Sequence, residues 1–221
     1  GAVSEDWNGF CVLHTGAGRA GALEVCALPS DDGGLNTAQI LKGAKSGDIE
    51  VVYLLNVDEI DMKALGDAFV IYQGSHGDAG AHRADVVLPG AAYTEKSATW
   101  VNTEGRPQMA SRAGFPPGDA REDWTIIRAL SEVLGTTLDF NTLHELRARI
   151  YETVPHLARI DQITPADPAE LTDLAKAGGK LGATAFVSPV KDFYLTNPVA
   201  RASAIMAECS ALRSGRKQAA E

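Results

Sequence analysis

Three short apolar runs constrain this chain more than any other feature: IEVVYLL (Ile49–Leu55), AFVIYQ (Ala68–Gln73) and ADVVLPG (Ala84–Gly90). Each is too short for a core helix and lacks strict alternation, which is the pattern of strands buried on both faces of a parallel sheet. Pro89 cuts the third run short, because proline has no N–H to give to a ladder. Asp58–Gly66 holds too few residues for a long helix, so the crossover between the first two strands is expected to be compact.

The flanking segments read as the rest of an α/β body. Thr37–Lys45 is a short helix capped by Asn36 and closed near Gly47. Ser97–Gly105 alternates, with Thr99, Val101 and Thr103 on one side, and reads as a short edge strand entering a turn. Asp119 is positioned to cap a helix over Arg121–Leu134, with Trp124, Ile127, Ala129, Leu130, Val133 and Leu134 facing inward and Gly135 beyond its end. From there the character changes. Leu143–Tyr151 is a charged helix, Asp167–Glu170 opens another that ends at Gly178, and Gly178–Pro198 is irregular. A last helix starts at Asn197-Pro198 and carries Ala202, Ile205, Met206, Cys209 and Leu212 along one stripe. The division expected is an α/β domain over residues 1–140 and a helical and extended tail over 141–221 that packs on it or on a partner. Such an apolar terminal stripe needs a surface to dock on. Ile205→Asp is therefore expected to weaken folding or assembly.

Composition removes several function classes. The chain has 221 residues and a net charge of −9, and an acidic surface repels phosphate backbones, so no nucleic-acid partner is expected. No apolar run approaches the roughly 18 residues of a membrane span, and no secretory leader is seen. The three cysteines, Cys11, Cys26 and Cys209, are scattered. They read as reduced, buried thiols of an intracellular protein. An iron–sulfur cluster takes four thiolates, so none is expected in this segment. A start at Gly1 rather than Met fits a fragment or a processed product, of which the fragment is the expectation.

LHTGAGRAGALEV contains a G-x-G-x-x-G at Gly16, Gly18 and Gly21. That fingerprint binds a dinucleotide only where it closes a strand and opens a helix, with an acidic residue roughly 20 positions on. Here Trp7, Phe10, Cys11 and His14 recur at helical spacing and Ser4 can cap them, so a helix is expected where a strand is required. Pro29 and the double glycine stop any following helix early, and Asp31 and Asp32 come too soon for a ribose. The glycines read as a flexible turn after a helix.

Two clusters are candidate sites. After Gln73 a glycine-rich loop stands at a strand's carboxyl end, where open α/β sheets hold ligands. Its amides could cradle phosphate, and His76, Asp78 and His82 could approach a metal, although a fourth ligand is missing. The second cluster is EKSATWVNTEGRPQ, with Glu95, Lys96, Asn102, Thr103, Glu104 and Arg106. Asn102 and Arg106 could grip a polar cofactor. The competing reading has Asn102 and Thr103 bonding their own turn and Arg106 pairing with Glu95 or Glu104. No nucleophile stands beside a base, so no catalytic residue and no metal ligand is assigned.

IYQGSHGDAGAHRADVVLPGAAYTEKSATWVNTEGRPQ, PPGDAREDWTIIRALSEVLG and KDFYLTNPVARASAIMAECS together resemble the C-terminal part of the large iron–sulfur subunit of respiratory complex I, NADH:quinone oxidoreductase. The resemblance runs from about Trp7 to the C-terminus. It implies a three-layer parallel-sheet domain of the molybdopterin oxidoreductase type that has lost its cofactor. In the molybdenum enzymes the segments matching TGAGRAG, IYQG and ADVVLP…NTEGR build the pterin cavity. Here the loop after Gln73 is rebuilt as GSHGDAGAH and the metal-ligating region is missing. Gly74, His76, Asp78, Asn102, Thr103 and Arg106 are then the residues of a vestigial pocket. The resemblance further implies a scaffold segment without chemistry of its own. Its parent enzyme passes electrons from NADH to quinone and translocates protons, through 2Fe–2S and 4Fe–4S clusters held by residues outside this chain. Partners would be the cluster-bearing N-terminal half and other peripheral-arm subunits, on the cytoplasmic or matrix face of the membrane. The alternative is a residual nucleotide- or molybdopterin-binding domain of an oxidoreductase, using Gly74–Gly80 and Asn102–Arg106.

Overall fold

The computed structural model describes residues 3–4, 7–9, 11–29, 31–165, 167–176, 178–180, 182–185 and 187–218. In chain order its elements are β1 (Val3–Ser4), β2 (Trp7–Asn8), α1 (Arg19–Glu24), α2 (Thr37–Ser46), β3 (Val51–Leu55), β4 (Phe69–Gly74), α3 (Ala79–Arg83) and β5 (Val86–Pro89). There follow β6 (Ala98–Val101), β7 (Pro107–Ala110), α4 (Asp123–Val133), α5 (Leu143–Thr153), α6 (Pro168–Lys176), α7 (Pro198–Arg201) and α8 (Ala204–Gln218). Two compact units emerge. One takes Gly1–Ala27, Thr99–Ala110 and Leu146–Pro189, and the other takes Leu28–Ala98, Ser111–Glu145 and Val190–Glu221.

The second unit holds the parallel sheet, in the order β3-β4-β5. Val51 pairs with Phe69, Leu54 with Tyr72, Ile71 with Val86 and Gln73 with Leu88. The crossover from β3 to β4 is compact, as expected, with only a 3-10 turn at Met62–Leu65. Asn36 and Gln39 form a capping box at the start of α2, and Gly47 ends the helix at φ 85°, a left-handed turn that glycine takes without a Cβ clash. Val52, Leu54, Val70 and Tyr72 pack with Ala44, Leu65 and Ala68 into one core. Burial of a large apolar side chain contributes about 1.5–3 kcal/mol.

β3 and β5 are not buried on both faces, and β4 is so only towards its carboxyl end, where Gln73 is fully buried. β3 alternates, with Val52 and Leu54 inside and Val51 and Leu55 about half exposed. The core lies on a single face of the sheet, where α2 and the 3-10 turn supply its cover.

Two helices also differ from expectation. Asp119 does not cap α4. The Arg121 N–H donates to the Pro89 carbonyl (3.0 Å) and the Arg121 carbonyl accepts from Ala91 (2.8 Å), so the chain stays extended beside β5 and the helix begins at Asp123. Its last turn does not face inward: Val133 is 83% and Leu134 71% exposed. The terminal helix is broken in two. Asn197 caps α7 through the Ala200 N–H, and a new helix begins after Ser203 and packs against the Phe193–Leu195 turn. Met206 and Cys209 are half-buried there. Ile205 (72%) and Leu212 (58%) are exposed, so the stripe is not wholly docked.

In the first unit the expected Ser4–His14 helix is absent. Val3–Ser4 and Trp7–Asn8 form an antiparallel pair, Cys11–His14 have no regular structure, and Phe10 lies outside the described residues; Cys11 and Cys26 are exposed rather than buried, because neither sits on an element that packs into a core. An isolated stripe this short cannot meet the cost of helix nucleation. β6 and β7 form a two-stranded sheet. Val101, Val154 and Leu157 make the core with Ala20, Ile150 and Tyr151, and His156 bonds Glu24 across 2.6 Å. Among the described residues no helix is long and apolar enough to cross a membrane.

Candidate functional site

The carboxyl ends of β3 and β4 converge on a polar network. Gln73, the last β4 residue before Gly74, is fully buried. It accepts from the Tyr53 hydroxyl and donates from Nε2 to Asp123 Oδ1 (2.8 Å). Lys96 forms an ion pair with the same carboxylate. Gly90 makes room for the network, because a Cβ there would stand 2.9 Å from Asp123 Oδ1. Burial, and then the Asp123 charge, push the Tyr53 hydroxyl above its ordinary pKa.

The loop after β4 is organised around Asp58. Its carboxylate is buried, accepting from the Tyr72 hydroxyl (3.0 Å) and from the Gly80 N–H (2.8 Å). Burial and the bond to Asp58 hold the Tyr72 phenol protonated far above its usual range. Gly80 is required by close packing: a Cβ would meet the Tyr72 ring and the Val57 carbonyl at 2.6 Å. Asp78 caps α3 by accepting from Ala79 (2.8 Å). Arg201, from α7, reaches over this loop to pair with Asp78 and, at 2.8 Å, with Glu59. Burial raises the Asp78 pKa, but Arg201 and the Ala79 amide outweigh it and hold the carboxyl below the usual carboxylate range.

The sequence candidates separate into the two units. Gly74, His76 and Asp78 lie together on the loop after β4. Asp78 serves Arg201, and His76 Nδ1 shares a hydrogen bond with Ser75 (2.9 Å). Among the described residues no group of His, Cys, Asp and Glu is arranged to hold a metal ion. Asn102, Thr103 and Arg106 lie in the β6–β7 turn of the other unit. Asn102 Oδ1 accepts from Glu104 and Arg106 N–H, both at 3.0 Å, and Gly105 takes φ 81°. Arg106 grips the Asp161 carbonyl (2.7 Å) and approaches Glu104 (3.7 Å). Glu95 instead accepts from the Ala92 N–H, and Thr103 is exposed.

The first unit also contains a cavity of about 270 Å³, lined by Gly18, Gly21, Ala22, Val25, Thr99, Trp100, Val101, Ile150 and Leu157. None of the six candidates lines it. Of the motif glycines, Gly18 and Gly21 do; Gly18 caps α1 and Gly21 lies within it, so the glycines open a helix rather than follow one. The Thr99 hydroxyl there is buried without a hydrogen-bond partner. Sequence reasoning passed over Asp58 and Arg201, which organise the β4 loop. Neither belongs to a motif, and Arg201 acts on a carboxylate 123 positions away.

Residues 1–133 match the family described as molybdopterin oxidoreductase, and residues 162–209 match a family formed by the C-terminal region of an NADH-ubiquinone oxidoreductase subunit. The mitochondrial NADH-ubiquinone oxidoreductase 78 kDa subunit of Candida albicans is 45% identical over 217 residues, covering 93% of this chain and 28% of that protein. The mitochondrial NADH dehydrogenase [ubiquinone] iron-sulfur protein 1 of Solanum tuberosum is 42% identical over 95% of this chain and 27% of its own length. The NADH-ubiquinone oxidoreductase 75 kDa subunit of Reclinomonas americana is 40% identical over 95% of this chain and 29% of its own length. Acetylene hydratase from Pelobacter acetylenicus matches in structure with a TM-score of 0.41 at 19% identity, over 45% of this chain and 16% of that one. The chain thus spans well under a third of the length of the relatives it matches. It belongs to the molybdopterin oxidoreductase family, and over nearly its whole length it is a homologue of the 75/78 kDa subunit of NADH-ubiquinone oxidoreductase, complex I.

Proposed function

We propose that this chain is the cofactor-free scaffold of a complex I iron–sulfur subunit, bracing a cluster-bearing half of the same subunit and docking other peripheral-arm subunits. The parent enzyme carries electrons from NADH through 2Fe–2S and 4Fe–4S clusters, held by residues outside this chain, to quinone and translocates protons. The segment lies peripherally on the cytoplasmic or matrix face. An α/β body over residues 1–140, which supplies the parallel sheet and one covering layer of a three-layer fold, and a tail over 141–221 belong to the same proposal. That boundary follows the two family segments, which flank residues 134–161, rather than the compact units.

One observation carries the absence of a cofactor: the donors that a pterin diphosphate would use at the β4 carboxyl end serve carboxylates of this chain. Asp58 holds the Gly80 amide and Asp78 holds the Ala79 amide, with Glu59 alongside and Arg201 balancing them. A phosphate brought there meets three carboxylates, and like charges this close repel. The residues present do not fit the group. The cavity beside Gly18 and Gly21 offers little for a diphosphate either, because its side chains are apolar apart from the Thr99 hydroxyl and the Trp100 indole N–H, and no cation lines it.

The test is chemical analysis of the purified chain. Mass spectrometry of a denatured extract is expected to find neither pterin nor guanine nucleotide, and iron and labile sulfide assays to find no cluster. A guanine nucleotide at about 100 times its Kd would stabilise by roughly 2.7 kcal/mol, so a flat melting curve across a GDP titration supports the scaffold. A stoichiometric pterin or nucleotide would establish the residual binding domain instead.

A further inference from the structure

The cavity in the first unit keeps more space than its local packing demands. Ala22, Val101, Ile150 and Leu157 give it apolar walls, and Val25 (46%) and Trp100 (37%) stand exposed at its rim. An apolar cavity of about 150 Å³ accepts benzene. At about 270 Å³ this one accepts roughly eight to ten carbons on the same scale. Gly21 helps to keep it open. It lies inside α1, where glycine is less stable than alanine, and it is not among the glycines at positive φ. A Cβ there would come no closer than 3.7 Å to Val101, an ordinary contact. Neither backbone nor packing requires glycine at this position, and what a larger residue would remove is cavity volume.

A cation without an anion stands on the same helix as one wall. Arg147 precedes Ile150 by three residues on α5, so the two project from one side of the helix, about 4.5 Å apart along its axis. Arg147 is half-buried, and its Nη2 is buried with no hydrogen-bond partner among the described residues. The other polar side chains of this unit are better served: His156 takes Glu24, and Arg106 takes the Asp161 carbonyl. A buried charge needs a paired, hydrogen-bonded counter-charge, and the guanidinium fork matches a carboxylate. We infer that the first unit carries a binding site for a small amphiphilic carboxylate, with its hydrocarbon chain in the cavity and its head group on Arg147. A neutral hydrocarbon would leave Arg147 unpaired, and an inorganic anion would leave the cavity unfilled. A medium-chain fatty acid satisfies both.

The test is calorimetric titration of the full-length subunit with octanoate and with its uncharged counterpart, 1-octanol. Octanoate is expected to bind at one site and at least about tenfold more tightly than the alcohol, which is within the worth of a hydrogen bond to a charged group. Arg147→Met keeps an unbranched side chain and removes the charge, so it should bring the two affinities together, whereas Arg147→Lys should retain part of the preference. Gly21→Leu, placed to fill the cavity, should abolish binding of both, with a melting curve to show that the variant is folded. If it does not fold, the two Arg147 variants still decide the matter. No octanoate binding in the full-length subunit would mean that the cavity is filled by the remainder of that subunit. Equal affinity for acid and alcohol would remove Arg147 from the site. A preference that survives Arg147→Met, or binding undiminished in a folded Gly21→Leu, would put the ligand elsewhere on the protein. Each of these results overturns the inference and leaves the scaffold reading standing.

Discussion

Asp58 ties the β4 loop together by accepting from the Gly80 N–H and from the Tyr72 phenol, whose other acceptor, the His76 carbonyl, stands at 3.4 Å. Asp58→Ala would strand the Gly80 N–H and leave the Tyr72 hydroxyl only its long bond to the His76 carbonyl, and an unsatisfied buried polar group costs about 1–3 kcal/mol. The urea midpoint of Asp58→Ala should fall accordingly, and an unchanged midpoint would show that water replaces the carboxylate. The Asp78–Arg201 pair makes a different prediction, in pH. The folded-state pKa of Asp78 is lowered, so the pair's contribution is fully present above the unfolded-state value of about 4 and is lost as pH falls through the folded value. The melting temperature of the parent chain should exceed that of Asp78→Asn near neutrality, and the gap should close in acid. A gap that widens on acidification would contradict the assignment of the pair.

Among the elements, α2 and α8 give opposite tests. α2 has a capping box at one end and a left-handed glycine at the other. Asn36→Ala should cost about 1 kcal/mol, read from chemical denaturation. In α8 the exposure of Ile205 removes the folding arm of the sequence expectation. Ile205→Asp should leave the stability of the chain within about 0.5 kcal/mol. It should reduce incorporation into the complex if the Ile205–Leu212 stripe meets another subunit, and pull-down of the tagged chain with peripheral-arm subunits measures this. A drop in melting temperature would mean that Ile205 is covered by this chain after all.

Across the molecule, the legible parts were those set by local chemistry. The three parallel strands, the α2 caps at Asn36 and Gly47 and the compact crossover follow from apolar runs and glycine placement within a few residues. Contacts between distant residues were not legible in that way. The start of α4 was displaced by Arg121 bonding Pro89 and Ala91 across the chain, and the one-sided cover of the sheet cannot be seen in IEVVYLL, whose side chains are apolar on both sides. The candidate residues Asn102 and Arg106 were found because a turn writes itself locally in N-T-E-G-R. Asp58 and Arg201 carry no such signature. Their arrangement over the β4 loop behaves as a tethered competitor: the carboxylates are covalently attached to the site they fill. Tethering gives a ligand an effective concentration of millimolar order or higher, so free phosphate at comparable levels has no mass-action advantage, and sulfate or phosphate should shift the melting temperature no more than their general salting effect does. A cofactor could bind at this loop only with the occupying acids gone, and losing Asp58 alone would first destabilise the fold that any cofactor would need.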